Sequence, residues 1–176
     1  MKQLRTTAML IALVAAAACT NPNRFGAGGA DADANAGGGF SQAPAIVPGS
    51  VDDPTSVAHF QQAIGDRVLF AVDQSTLSPE ARTTLDAQAR WLTTNSDYLA
   101  VIEGHADEQG TREYNLALGA RRANAVMEYL ISQGIPASRL KFISYGKERP
   151  IELCSEEACY AKNRRAVTII SAGALS

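Results

Sequence analysis

Gly104-His105-Ala106-Asp107-Glu108-Gln109-Gly110-Thr111, continued through Tyr114-Asn115 to Arg121-Arg122-Ala123, is the stretch on which the fold turns. At about 100° per residue, a helix opening near Thr111 carries Leu118, Ala125, Val126 and Tyr129 on one face. Arg122 projects into the middle of that stripe, and Arg121 falls nearer its edge. A guanidinium aimed at a core or cleft must have a partner, because an unpaired buried charge is destabilising by several kcal/mol, on the order of 3 to 5. Asp107, just before the helix, is the nearest candidate.

Outward from that helix, the chain alternates strands and helices. Upstream, Tyr98 to Glu103 is rich in apolar residues and reads as a strand. Before it, Ser78 as N-cap and Pro79 at the first helical position open a helix that buries Leu85, Ala89 and Leu92. Val68 to Val72 reads as the first strand, and Asp53 with Pro54 caps a short helix carrying Val57, Phe60 and Ile64. Downstream, the long helix runs from about Arg112 to Gly134, with Pro136 as a stop signal. Leu140 to Tyr145 and Ala166 to Ile170 supply two more strands, separated by an irregular segment. This pattern predicts one α/β (α+β) domain over residues 56–176: a two-layer sandwich in the order β-α-β-α-β-β, its helices on one face of a mixed sheet. The strand order is not readable from the sequence.

GHADEQGTREYN…LGARRANAV resembles the signature of the OmpA-like peptidoglycan-binding domain family, and within it the peptidoglycan-associated lipoproteins. Two further motifs carry the resemblance: Val68-Leu69-Phe70-Ala71-Val72-Asp73-Gln74-Ser75-Thr76-Leu77 upstream, and Ser144-Tyr145-Gly146-Lys147-Glu148-Arg149-Pro150 with Asn163-Arg164-Arg165-Ala166-Val167 downstream. Together they span about residues 60 to 172 in the family's order.

On the residues alone, Asp107 and Arg122 serve equally well as a structural ion pair or as a receptor for a zwitterion. In the receptor, the carboxylate takes an ammonium and the guanidinium grips a carboxylate through two parallel hydrogen bonds. The resemblance implies the receptor, with diaminopimelic acid of the peptidoglycan stem peptide as the zwitterion. It also implies cleft walls from Phe70 and Asp73, although Ala71 and Val72 replace the middle Asp and Phe of the family's Phe-Asp-Phe-Asp turn. Glu108, Thr111, Tyr114 and Asn115 are expected on the cleft rim, Asn115 equally as a brace of the loop. Arg164 and Arg165 precede the last strand, and one of them pairs with an acid of the sheet or both belong to a surface charge run. By resemblance this segment borders the site, with Arg165 as the candidate ligand residue.

The N-terminus predicts a secretory signal peptide over residues 1–18. Lys2 and Arg5 precede an apolar run of 11 residues from Ala8 to Ala18, too short to span a bilayer. Ala-Ala-Ala-Cys resembles a bacterial lipobox, with Ala16 where leucine is usual, so Cys19 is expected to be lipidated, palmitate included, and to become the first mature residue. An ordinary signal cleaved near Ala18, leaving a soluble periplasmic protein, is the competing reading. Thr20 after the cysteine favours the outer membrane by resemblance to sorted lipoproteins. Residues 19–55 read as a tether: from Thr20 to Thr55 there are 7 Gly, 7 Ala and 4 Pro with few large apolar side chains. As a flexible coil it would span roughly 30 to 35 Å r.m.s. and about 120 Å when stretched.

Net charge is −2, and −4 once Lys2 and Arg5 are set aside; no basic tract points to nucleic acid. Cys154 and Cys159 form a pair in an oxidising compartment, where a disulfide closing so small a loop would stabilise by about 2 kcal/mol. Free thiols or a metal site are the other readings, and no nearby histidine supports a metal. No cofactor is expected. His105 with Asp107 and Glu108 looks like a fragment of a hydrolase or metal site, but HExxH, GxSxG and zinc-type spacings are missing. The expected class is therefore a binding module, not an enzyme. The resemblance further implies periplasmic partners, TolB and other Tol-Pal components, and a part in drawing in the outer membrane at cell division. A wall-anchoring lipoprotein without Tol partnership is the alternative.

Overall fold

A computed structural model describes residues 46–173. The expected signal peptide, Cys19 and most of the expected tether lie outside those residues.

Among the described residues, four strands form one mixed sheet in the order β1-β4-β2-β3. A single helical turn, α1 (Val57–His59), passes into a π-helical turn, Phe60–Gly65. Strand β1 (Arg67–Leu69) is short, helix α2 (Pro79–Thr94) follows, and β2 (Tyr98–His105) lies in the sheet interior. Helix α3 (Arg112–Ser132) returns the chain to β3 (Leu140–Gly146), parallel to β2. A short helix, α4 (Glu157–Asn163), precedes β4 (Arg165–Ala172), which inserts antiparallel between β1 and β2.

The caps explain where the helices begin and end. Ser78 accepts from the Ala81 N–H at 3.1 Å with Pro79 in the first turn, and Thr111 accepts from the Tyr114 N–H at 3.2 Å. At the far end of α3, Gly134 adopts φ +95°, and the Ile135 N–H reaches back to the Leu130 carbonyl at 3.1 Å, which stops the helix and buries Ile135. One sheet face packs on α2 and α3 through Leu85, Leu92, Ile102, Val126, Leu130 and Ile170. Strand alternation turns Leu99, Ile143 and Ile169 to the other face, where they are partly exposed.

Several expected boundaries shift. β1 stops at Leu69, because Ala71 to Gln74 make a turn with Asp73 at φ +55°. Ser56, not Asp53 or Pro54, caps the first helix, its hydroxyl accepting from the His59 N–H at 2.9 Å. Asp53 instead closes a turn by accepting from the Gly49 and Thr55 N–H groups at 2.8 and 3.0 Å. Residues 46–55, read above as tether, run in turns whose end is bonded to the domain. Trp91 donates to the Pro54 carbonyl at 2.8 Å and Tyr98 to the Thr55 carbonyl at 3.0 Å. The segment read as irregular contains α4.

At the end of β2, α3 touches the sheet backbone to backbone. A Cβ at Gly104 would lie 1.9 Å from the Gly119 carbonyl oxygen, so only glycine fits there. This close approach of α3 to the end of β2 brings Arg122, three residues beyond Gly119, against residues 105–107.

Candidate functional site

The loop after β2, the turn after β1 and the first half of α3 enclose a cavity of about 270 Å³. Asp73, Asp107, Gln109, Tyr114, Asn115 and Arg122 supply its polar lining, with Val72 and Leu118 as apolar wall.

Arg122 is wholly buried, as its place in the apolar stripe requires, but Asp107 is not its bonding partner. Its Nε donates to the Gln74 carbonyl at 2.8 Å, Nη1 to the His105 carbonyl at 2.9 Å and Nη2 to the Ala71 carbonyl at 3.1 Å. Its guanidinium also stands over the Phe70 ring, 5.3 Å from the centroid. Carbonyl dipoles satisfy the donors without cancelling the charge. A guanidinium has five N–H donors, so these three bonds leave one N–H on each terminal nitrogen unengaged by them. Burial pushes the Arg122 pKa down to about 10, with the Asp107 charge opposing that shift, so the side chain stays cationic at neutral pH.

Asp107 belongs to a different pair. Its Oδ2 accepts from Arg164 Nη1 at 3.1 Å and its Oδ1 from the Gln109 N–H at 3.2 Å. Arg164, not Arg165, is therefore the arginine of the Asn-Arg-Arg segment that reaches the site. Arg165 turns to the other sheet face, where it donates to the carbonyls of Asn163 at 3.3 Å and Arg149 at 3.1 Å.

The expected rim residues divide. Tyr114 lines the cavity, and its hydroxyl donates to Asp73, bridging α3 and the turn after β1. Asn115 is buried and donates to the Gln109 carbonyl at 2.6 Å, so it both lines the cavity and braces the loop. Thr111 is occupied as helix cap outside the lining. Glu108 points away, accepting from Ser155 at 2.6 Å and Tyr160 at 2.7 Å; those bonds hold its carboxyl below the ordinary range. Phe70 is a floor beneath Arg122 that does not line the cavity, and its carbonyl accepts from Arg164 Nε at 3.2 Å. Cys154 and Cys159 are joined, their Cα atoms 5.9 Å apart.

His105, Asp107 and Glu108 do not converge as a hydrolase or metal site would require. The His105 ring is buried against Tyr145, 5.7 Å between centroids, and neither ring nitrogen has a hydrogen-bond partner. Burial first, then the charges of Arg165 and Arg149, push its pKa down to about 4. Glu103, 3.7 Å away, is too distant for a hydrogen bond that would offset them. The folded state thus binds this proton less well than the unfolded chain does. The stability gained by keeping His105 neutral is complete above about pH 6.5 and disappears as the pH falls toward 4. The expected loss is about 3 kcal/mol. Urea unfolding at pH 7 and pH 4 should show that much extra acid sensitivity in wild type over His105→Phe; equal sensitivity would contradict it.

The sequence matches the OmpA family over residues 69–164. A peptidoglycan-associated lipoprotein of Mesorhizobium japonicum is 53% identical over 133 residues, covering 76% of each chain. One of Pseudomonas aeruginosa is 40% identical over 159 residues, covering 90% of this chain and 91% of that one. Among solved structures, the peptidoglycan-associated lipoprotein from Burkholderia pseudomallei superposes with a TM-score of 0.61 at 34% identity, over 69% of this chain and 98% of that one. The C-terminal domain of Helicobacter pylori MotB shares the fold, with a TM-score of 0.58 at 23% identity over 62% of this chain and 86% of that one.

Proposed function

The chain belongs to the OmpA family, in its peptidoglycan-associated lipoprotein branch, and from that premise we propose that its domain binds peptidoglycan non-covalently through the cavity between Asp107 and Arg122. It is not an enzyme; its relatives are lipoproteins named for association with the wall. The observation that carries the proposal is Arg122: a buried guanidinium, held by neutral carbonyls that leave two of its N–H groups unengaged, lining one cavity with Asp107. A carboxylate on Arg122 and an ammonium on Asp107 match the free amino-acid end of diaminopimelate in the stem peptide.

Around that core reading stand finer ones. Cys19 carries the lipid that anchors the chain in the outer membrane after residues 1–18 are removed, and the Gly/Ala/Pro-rich segment spans toward the wall. The domain partners TolB and serves the Tol-Pal system in outer-membrane invagination, a role that capture by purified TolB would test directly.

The binding proposal is tested by co-sedimentation of the full-length chain with isolated peptidoglycan, wild type against Asp107→Asn. The substitution removes the charge and keeps the shape, and Arg164 retains Glu157 as partner. The pelleted fraction should fall to background with only a small change in unfolding temperature. Asp107→Asn pelleting as wild type does would remove Asp107 from the site.

A further inference from the structure

Arg164 holds two carboxylates at once. Its Nη1 lies 3.1 Å from Asp107 Oδ2 and 3.4 Å from Glu157 Oε2, and its Nη2 donates to Glu157 Oε1. The arginine is buried, whereas the Glu157 side chain is 67% exposed at the edge of the site. Glu157 is the first residue of α4 and stands inside the turn closed by Cys154 and Cys159. Ser155 and Tyr160 pin the same turn to Glu108. These bonds hold the turn that carries Glu157, and Arg164 holds its carboxylate.

A guanidinium beside a carboxylate competes with any cation that the carboxylate is to bind. Left alone with Asp107, Arg164 would swing both terminal nitrogens onto it, the fork geometry that arginine prefers with a carboxylate. Glu157 takes Nη2 instead and shares Nη1 with Asp107. Asp107 then keeps a single bond to Arg164, and its Oδ1 meets only the Gln109 N–H, at 3.2 Å.

We infer that Glu157 is a specificity-determining positioning residue: by engaging Arg164 it leaves Asp107 able to receive an ammonium, and so makes the cavity prefer a zwitterionic amino-acid end over one bearing a carboxylate alone. The inference rests on Asp107 and Arg122 being the receptors for ammonium and carboxylate. Glu157 lies outside the cavity lining and acts through Arg164.

The test is calorimetric titration of the full-length chain with two N-blocked stem tripeptides ending in diaminopimelate, one with its terminal amine free and one with that amine acetylated. Wild type should bind the free-amine peptide more tightly. Glu157→Gln should shrink that preference about three- to fivefold, the scale of a partly solvated charge interaction, by weakening the free-amine peptide while the acetylated one holds or gains. Glu157→Asp should keep most of the preference. A wild-type preference that survives intact in Glu157→Gln overturns the inference alone. So does equal weakening of both peptides, which a purely structural role would produce. Wild type binding neither peptide overturns the receptor reading and this inference with it.

Discussion

Arg122→Ala is expected to abolish co-sedimentation with peptidoglycan and, at the same time, to destabilise the domain by about 3 kcal/mol or more. Both effects come from one side chain. The guanidinium is fully buried and donates to the carbonyls of Ala71, Gln74 and His105, so its removal strands three acceptors that belong to two separate segments. Each buried group left without a donor costs about 1 to 3 kcal/mol unless water enters to replace it. The turn after β1 then loses the bonds that hold it beside β2, and the cavity loses a wall as well as its cation. Arg122→Lys keeps the charge but cannot span three carbonyls, so its stability should fall between alanine and wild type. Denaturant unfolding of the three proteins gives the order. Co-sedimentation must be read under conditions where each variant is folded. An alanine variant as stable as wild type would show that the three bonds are not structural, and a folded one that still pellets would remove Arg122 from the site. Asp107→Asn separates the two roles, because it should lose binding with little loss of stability.

The contrast between those variants also marks what the sequence carried and what it did not. Helical periodicity was enough to direct Arg122 inward, since Leu118 and Val126 lie on the same face at multiples of four. It could not identify the partners, which are backbone carbonyls that only the turn geometry at Ala71 to Gln74 presents. Asp107 looked like the partner because it is near in the chain, whereas its bond goes to Arg164, 57 residues away. Arg165 is the candidate by resemblance alone, and the pattern could not correct it to Arg164: Ala166 to Ile170 are nearly all apolar, so alternation does not say which parity faces the helices. α4 has only seven residues and no apolar period, which is why an irregular segment was expected. The residues from 46 to 55 have the composition of a coil, yet Pro54 and Thr55 offer carbonyls to Trp91 and Tyr98, and a long-range acceptor leaves no local trace. The strongly punctuated helices were legible for the opposite reason. Ser78-Pro79 and Gly134 with Pro136 act within a few residues of themselves, and α2 starts and α3 stops where those signals stand.

Gly104→Ala is expected to be the most damaging small substitution in the domain, costing about 3 kcal/mol or more. Its Cβ would meet the Gly119 carbonyl oxygen at 1.9 Å and the Gly119 carbonyl carbon at 2.6 Å. Those atoms are backbone in the middle of α3 and cannot rotate aside, so the helix must lift from β2 along its length. The site moves with it, since Arg122 follows Gly119 by less than one turn and bonds the His105 carbonyl beside Gly104. Wall binding should therefore fall even under conditions where Gly104→Ala remains folded. Gly119→Ala enters the same contact from the other side and should be milder. Its nearest obstacle is the Ser144 hydroxyl at 2.4 Å, a group that a rotamer change can move, with the Gly104 carbonyl oxygen at 2.9 Å as the harder one. Ser144→Ala should then recover part of the stability lost in Gly119→Ala and none of that lost in Gly104→Ala. Denaturant midpoints for the singles and the two doubles read this directly. Equal rescue of both glycine variants would mean that the hydroxyl, not the backbone approach, governs how closely α3 seats on the sheet.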